Sequence, residues 1–345
     1  MSSALPSDEI AALWQEALAR PDDDGVRGVL ADLLQARGDP RGELIALQLL
    51  TAEDPEARAR QARIQALLVR HAHEWLGPVR EIVNAARFDR GFLQAIQLET
   101  EWFPGHARLE AALGDRVLRT VEDVLPGRAY GELYAHVIAS PELRALRRIE
   151  VFEDHSMRAF AATEHPIVHV ACRIEASHRG QLESRFYPAC RRKDSLISLA
   201  VSAPLFDQIE RQPWFERLRS ILVSCGVRRG LALWPRIPAT TTLTIASSDA
   251  LDPCSIAFPW DYRITLARRA DGVVARISGE WLLHSLGALD ALPRDVTRIE
   301  IEHTSDVMAQ RVHDAVARHG LEVVVQAPRR AGNIVWEHGE SRGRR

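Results

Sequence analysis

The sequence predicts an α/β protein made of an all-helical N-terminal module, roughly Ser7 to Leu76, followed by a longer region in which strands and helices alternate. Two observations carry this expectation. In the first two helical segments, up to Leu34, apolar residues recur at offsets of 0, 3, 4, 7 and 8, the spacing of one helix face, and two further helical stripes follow up to Leu76. From Phe88 the rhythm changes to apolar-x-x-apolar-x-apolar, and that motif returns at intervals of 21 to 29 residues with helix-spaced segments between its copies.

In the first helix Ser7 is the expected cap, with Asp8 and Glu9 in the first turn, and Ile10, Leu13, Trp14, Ala17 and Leu18 share a face. Arg20-Pro21 ends it. Asp22-Asp23-Asp24 offers caps for a second helix striped by Val26, Val29, Leu30, Leu33 and Leu34, and Gly38 closes that helix. After Asp39-Pro40 a shorter third helix carries Leu44, Ile45 and Leu47. Asp54-Pro55 opens a fourth with Ile64, Leu67, Leu68, Trp75 and Leu76 inside. Four such stripes can be buried against one another.

LWQEALARPDDDGVRGVLADLLQARGDPRGELIALQ, about residues 9–50, resembles the repeat-companion domain, a small bacterial module found beside leucine-rich and other repeats. The resemblance rests on the Pro21-Asp22-Asp23 turn, the Ala31-Asp32-Leu33 triplet, and Gly38-Asp39-Pro40-Arg41-Gly42-Glu43 leading into Gln48. It implies no catalytic activity. Asp32 and Glu43 are read as fold-specifying carboxylates partnered by arginines such as Arg27, Arg37 or Arg41, not as a site.

In the second region the copies are Leu93/Ile96/Leu98, Leu146/Ile149/Val151, Ile167/Val170/Cys172, Leu196/Leu199/Val201, Leu218/Ile221/Val223 and Val296/Ile299/Ile301, with weaker copies at Leu118/Val121 and Leu243/Ile245. Helical spacing fills 130–138, 157–163 and 206–215. The intervals resemble a degenerate leucine-rich-repeat array over about 90–250, which implies a strand-helix solenoid. The family's post-strand asparagine has no counterpart, since Asn84 and Asn333 are the only asparagines, and Ser202 and Ser224 are expected to substitute in part. A non-repeating α/β domain with similarly spaced buried strands is the alternative.

Beyond about residue 255 an atypical C-terminal cap is expected. It comprises a hairpin of Tyr262 to Leu266 and Val273 to Ile277 around Asp271-Gly272, a helix from Trp281 to Leu289, a strand from Val296 to Glu302, a helix from Asp306 to His319, and a strand from Leu321 to Val325. The expected domains are therefore 1–80, 81–328, and a flexible basic tail, 329–345.

Composition narrows the function. The 345 residues carry 44 Lys and Arg against 47 Asp and Glu, a net charge of −3, and Lys193 is the only lysine. Neither nucleic acid nor an anionic membrane is an expected partner, and no stretch approaches 18 apolar residues. The start lacks a signal-peptide pattern, so a cytoplasmic location is expected. Cys172, Cys190, Cys225 and Cys254 form no CxxC pair and read as buried free thiols.

Chemistry has few candidates. Among the middle histidines and nearby thiol, His155, His165, His169, Cys172 and His178, the offset of three between His169 and Cys172 places them on opposite faces of a strand, and Pro166 interrupts a helical pairing of His165 with His169. Cys225 precedes Gly226-Val227-Arg228-Arg229, a setting able to activate a thiol, although packing is the simpler role. No phosphate-binding glycine motif is present, and no cofactor or metal is expected. Glu150 with Glu153-Asp154, and Glu300 with Glu302, read as solvated edges.

The expected function is a non-enzymatic interaction scaffold that receives a protein partner on the strand surface of Gln94, Gln97, Arg119, Glu122, Arg147, Glu150, His169, Arg219 and Thr244. The alternatives are an immunity or regulatory protein occluding an enzyme, and a hydrolase or transferase using Cys225 or the middle histidines.

Overall fold

The structure, a computed structural model, describes residues 7–20, 23–50, 57–98, 106–127, 131–174, 179–246, 263–278, 292–302, 321–326 and 335–337. The chain is a mixed α/β protein that divides into two compact units: 1–133 with 140–146 and 332–345, and 134–139 with 147–331. The helical module shares its unit with the strands that follow it.

In the first unit the helices are α1 (Ser7–Ala19), α2 (Asp24–Ala36), α3 (Pro40–Leu49) and α4 (Ala57–Leu76). Asp23 caps α2 by accepting from the Gly25 and Val26 amides, and Asp39 caps α3 by accepting from Arg41, with Pro40 in the first turn. Gly38 takes φ +75° at the end of α2, as its placement predicts. The stripes meet in a core of Ala17, Leu30, Ala31, Leu34 and Ile45. Val29, expected inside, is 51% exposed.

Two strands then form a hairpin, β1 (Val83–Asp89) and β2 (Phe92–Leu98), whose turn residues Arg90 and Gly91 have φ of +48° and +80°. Both values are positive, the requirement of the turn that matches strand twist, and Arg-Gly supplies it in place of the usual Asn-Gly. β1 is thus a strand the apolar spacing does not reveal. After α5 (His106–Leu113), β3 (Asp123–Leu125) lies parallel to β2 and sets Val124, not Val121, opposite Ile96. The weak repeat copy at Leu118/Val121 is therefore shifted by three residues, because a 3₁₀ turn occupies Arg116–Thr120.

Of α6 (Gly131–Ile138), residues 134–138 belong to the second unit, which also contains β4 (Arg148–Val151), α7 (Asp154–Ala162) and β5 (His169–Cys172). Next come α8 (Arg179–Gln181), which runs through a π-turn into α9 (Tyr187–Arg192), then β6 (Ser198–Ser202) and α10 (Ala203–Ile209). β7 (Ser220–Ser224), α11 (Val227–Leu231) and β8 (Thr242–Ala246) follow. The strand order from β4 to β8 is monotonic and every neighbouring pair is parallel.

Right-handed crossovers between strands added in one direction lay every connecting helix on the same face. The burial agrees: Ile149, Val170, Leu199, Ile221 and Leu243 are cross-strand partners, each at most 3% exposed. These are the repeat markers. Their alignment in one row explains the common motif, since each copy supplies the same position to one helix-covered core.

The sheet continues through the expected hairpin, β9 (Arg263–Arg269) and β10 (Gly272–Ser278), with β9 antiparallel to β8. β11 (Val296–Glu302) and β12 (Glu322–Gln326) add in parallel. The order is linear, so the sheet does not close into a barrel. The helices expected at 281–289 and 306–319, with Cys254 and His178, lie outside the described residues. Within the expected flexible tail, residues 335–337 form β13, which pairs with β1 in the first unit. That pairing occupies one edge of β1 with the β-prone Val335-Trp336 pair.

Candidate functional site

Strand alternation puts the residues either side of each marker on the opposite side of the second unit's sheet, which is helix-free among the described residues. One row there runs in register through Glu150, Ala171, Ala200, Leu222, Thr244, Thr265, Arg276 and Glu300, one residue from each of β4 to β11. It begins and ends on a carboxylate. Glu150 is 3% exposed and 3.2 Å from Arg173; Glu300 is 4% exposed, 2.7 Å from Arg276 and 3.4 Å from Arg269. The Arg276 hydrogen bond holds the Glu300 carboxyl below its ordinary pKa.

From β5 to β9 the row is uncharged, a stretch of five strands or about 19 Å at the usual strand separation, and Arg276 follows on β10. A parallel row, Arg148, His169, Ser198, Ser220 and Thr242, flanks it. His169 Nδ1 and Ser198 Oγ are 2.7 Å apart, and the Thr244 and Thr265 hydroxyls 3.2 Å. The centre of the face is therefore hydroxyls, small residues and one leucine.

The nine residues expected to form a binding surface divide between the units. In the first, Gln94 accepts from Arg87 and lends its carbonyl to the Glu122 amide, and Arg119 pairs with Glu142 at 2.6 Å. Gln97 is 4% exposed and so offers almost no surface. In the second, His169 and Thr244 lie on the helix-free face, as does Glu150, whose burial against Arg173 corrects its reading as a solvated edge; the same holds for Glu300. Arg147 and Arg219 are exposed but precede their strands, at the N-terminal rim, where Arg219 donates to Thr240 Oγ1 at 2.7 Å. Choosing residues two before the marker selects this rim. Ser198, Ser220, Leu222 and Thr242 flank their markers as His169 and Thr244 do but are missed, although the alternations Ser-Leu-Ala-Val-Ser, Ser-Ile-Leu-Val-Ser and Thr-Leu-Thr-Ile-Ala carry the signal.

Three hydroxyls that precede the strands tie neighbouring repeats. Thr120 Oγ1 donates to the Leu93 carbonyl at 2.6 Å, Ser195 Oγ to Ile167 at 2.8 Å, and Thr241 Oγ1 to Leu218 at 2.6 Å. All three acceptors lie three residues before a marker, so this ladder runs before the strands instead of after them.

Candidate catalytic groups are poorly placed. His169 is half-buried on the open face and Cys172 fully buried beneath it, as their offset predicts. Burial raises the Cys172 thiol to about 12 and also raises Cys190 and Cys225; at Cys225 the nearby Arg229 charge only partly offsets the effect. Among the described residues no three metal-ligating side chains converge, and no helix is long and apolar enough to cross a membrane.

The motif of the helical module has a structural destination instead. Glu43 is clasped by Arg63 through two bonds of 2.6 and 2.7 Å, whereas Asp32 is exposed, which corrects the expectation that it is partly buried beside an arginine. A Cβ on Gly42 would stand 2.6 Å from the Ala31 carbonyl, so only glycine lets α3 approach α2 this closely. Arg41 and Gln48 both reach the β1–β2 turn.

Comparison with known protein families, curated proteins and solved structures finds no match to this chain.

Proposed function

We propose that this chain is a non-enzymatic interaction scaffold: a degenerate leucine-rich-repeat-like solenoid, introduced by a repeat-companion-like module, that receives a protein partner on the helix-free sheet face. In this reading the protein is bacterial and cytoplasmic. The observation that carries it is the eight-strand row from Glu150 to Glu300, with its uncharged centre and its charges neutralised internally. Nucleic acid needs clustered cations aimed at phosphates, and the arginines paired with the two ends of this row, Arg173, Arg269 and Arg276, are already committed to its carboxylates. Covering a face whose charges are already paired leaves no free charge to desolvate, which suits another protein surface.

An immunity or regulatory protein that occludes an enzyme is the same reading with a particular partner. The Ser198–His169 hydrogen bond favours a second reading, hydrolysis by an activated serine, over one that uses Cys225.

Affinity capture from native lysate with wild-type bait and with Leu222→Arg bait tests the scaffold. A partner retained by the first and lost by the second supports it. Identical captures, or ester turnover abolished in Ser198→Ala, would overturn it.

A further inference from the structure

The helical module grips five residues of the first unit's own hairpin, Phe88-Asp89-Arg90-Gly91-Phe92. Three hydrogen bonds read the turn's main chain. Arg41 Nε donates to the Gly91 carbonyl at 3.0 Å, the Gly91 amide donates to Gln48 Oε1 at 2.7 Å, and Gln48 Nε2 donates to the Phe88 carbonyl at 2.8 Å. The side chains are read as well. Phe92 lies between the Trp14 ring at 4.9 Å and the Arg27 guanidinium at 4.8 Å, Phe88 meets Trp75 at 6.0 Å, and Arg90 pairs with Asp24 at 3.0 Å. Glycine itself is selected: a Cβ at position 91 would collide with Ile45 Cγ1, at a φ of +80°.

We propose that the helical module is a receptor for an aromatic-flanked Asp-Arg-Gly β-turn, that residues 88–92 occupy it in cis, and that the same turn from a second copy of this chain occupies it once the cis turn is weakened. Main-chain bonds to a turn together with pockets for its side chains are the components of peptide recognition between chains. The short connection over Gly77–Ile82 tethers the cis turn at an effective concentration on the order of mM, so a free turn competes only after the cis contact is impaired. Exchange of an identical element between copies needs no new surface.

The test uses the full-length chain and a fluorescein-labelled peptide with the sequence of residues 83–98, extended by one added cysteine at each end and cyclised through their disulfide. Gly91→Ala impairs the cis turn through the Ile45 collision. Fluorescence anisotropy is expected to show saturable peptide binding to Gly91→Ala at least tenfold tighter than to wild type, and adding Gln48→Ala is expected to abolish it. A folded Gly91→Ala chain that binds no peptide, or binds it no better than wild type, overturns the proposal, as does binding indifferent to Gln48→Ala. Should Gly91→Ala fail to fold, Arg90→Ala, which removes the Asp24 ion pair and leaves the backbone unchanged, takes its place with the same two outcomes.

Discussion

Arg41 donates its Nε hydrogen to the Gly91 carbonyl at 3.0 Å while its guanidinium lies 4.6 Å from the Trp14 ring and 5.7 Å from the Trp75 ring. Desolvation outweighs the nearby Asp39 charge and lowers its pKa to about 10. Planarity matters here, because a flat cation stacks on indole while its edge donates. Arg41→Lys keeps the charge and loses the fit, and urea unfolding is expected to show a loss of about 1.5–3 kcal/mol, the range for hydrogen bonds to charged groups.

Two glycines of the helical module should respond in opposite directions. Gly42→Ala drives a methyl into the α2 backbone and is expected to cost about 1–3 kcal/mol, as overpacking does. Gly28 lies inside α2, where an added Cβ would meet nothing within 4 Å, so Gly28→Ala should stabilise by about 0.5–1 kcal/mol. Thermal melts of the two variants check both signs.

The strand-tying hydroxyls are separable from the merely polar ones. Thr241 is 2% exposed and its hydroxyl satisfies the Leu218 carbonyl, so Thr241→Val should cost about 1–3 kcal/mol by orphaning a buried acceptor. Ser202→Ala, which removes no strand-tying bond, is expected to stay within about 0.5 kcal/mol in the same denaturant titration.

Acid stability should depend on Glu43, Glu142 and Glu300, whose carboxyls are held below the ordinary value of 4.5, each chiefly by an arginine hydrogen bond. A depressed folded-state pKa contributes stability that is present above the unfolded value and is lost as pH falls through the folded one. Denaturation midpoints measured downward from pH 7 should therefore fall mainly below 4.5, and Glu300→Gln should flatten that limb.

Thiol chemistry gives a further check. With Cys172 raised from 9.0 to about 12, its thiolate population at neutral pH is about 1000-fold below that of an unperturbed thiol. Iodoacetamide labelling read by mass spectrometry should leave Cys172 and Cys190 unmodified in the native protein and alkylate both in urea. Rapid native labelling of Cys172 would contradict its burial.

Much of this fold is legible in the sequence because its signals are local. Ile10 to Leu18, Val26 to Leu34, and the Asp23 and Asp39 caps report helices within a single turn or two of chain. The markers Ile149, Val170, Leu199, Ile221, Leu243 and Ile299 report strands sharing one core, since each must present the same apolar face. The candidate face was half legible: strand alternation sets His169 and Thr244 on it, while Arg147 and Arg219 fall at the rim because each strand begins two residues after its motif, one past the arginine.

What the sequence determined by itself was this succession of amphipathic elements and their common period. Tertiary structure alone decided that Val124 displaces Val121 opposite Ile96, that Glu150 and Glu300 are buried behind arginines, and that Arg41, Gly42 and Gln48 serve α2 and the β1–β2 turn. The physical reason is range. Helix and strand periodicity is written in residues a few positions apart, whereas Gln48 meets Gly91 across 43 positions and Arg41 meets it across 50, through contacts that no local spacing encodes.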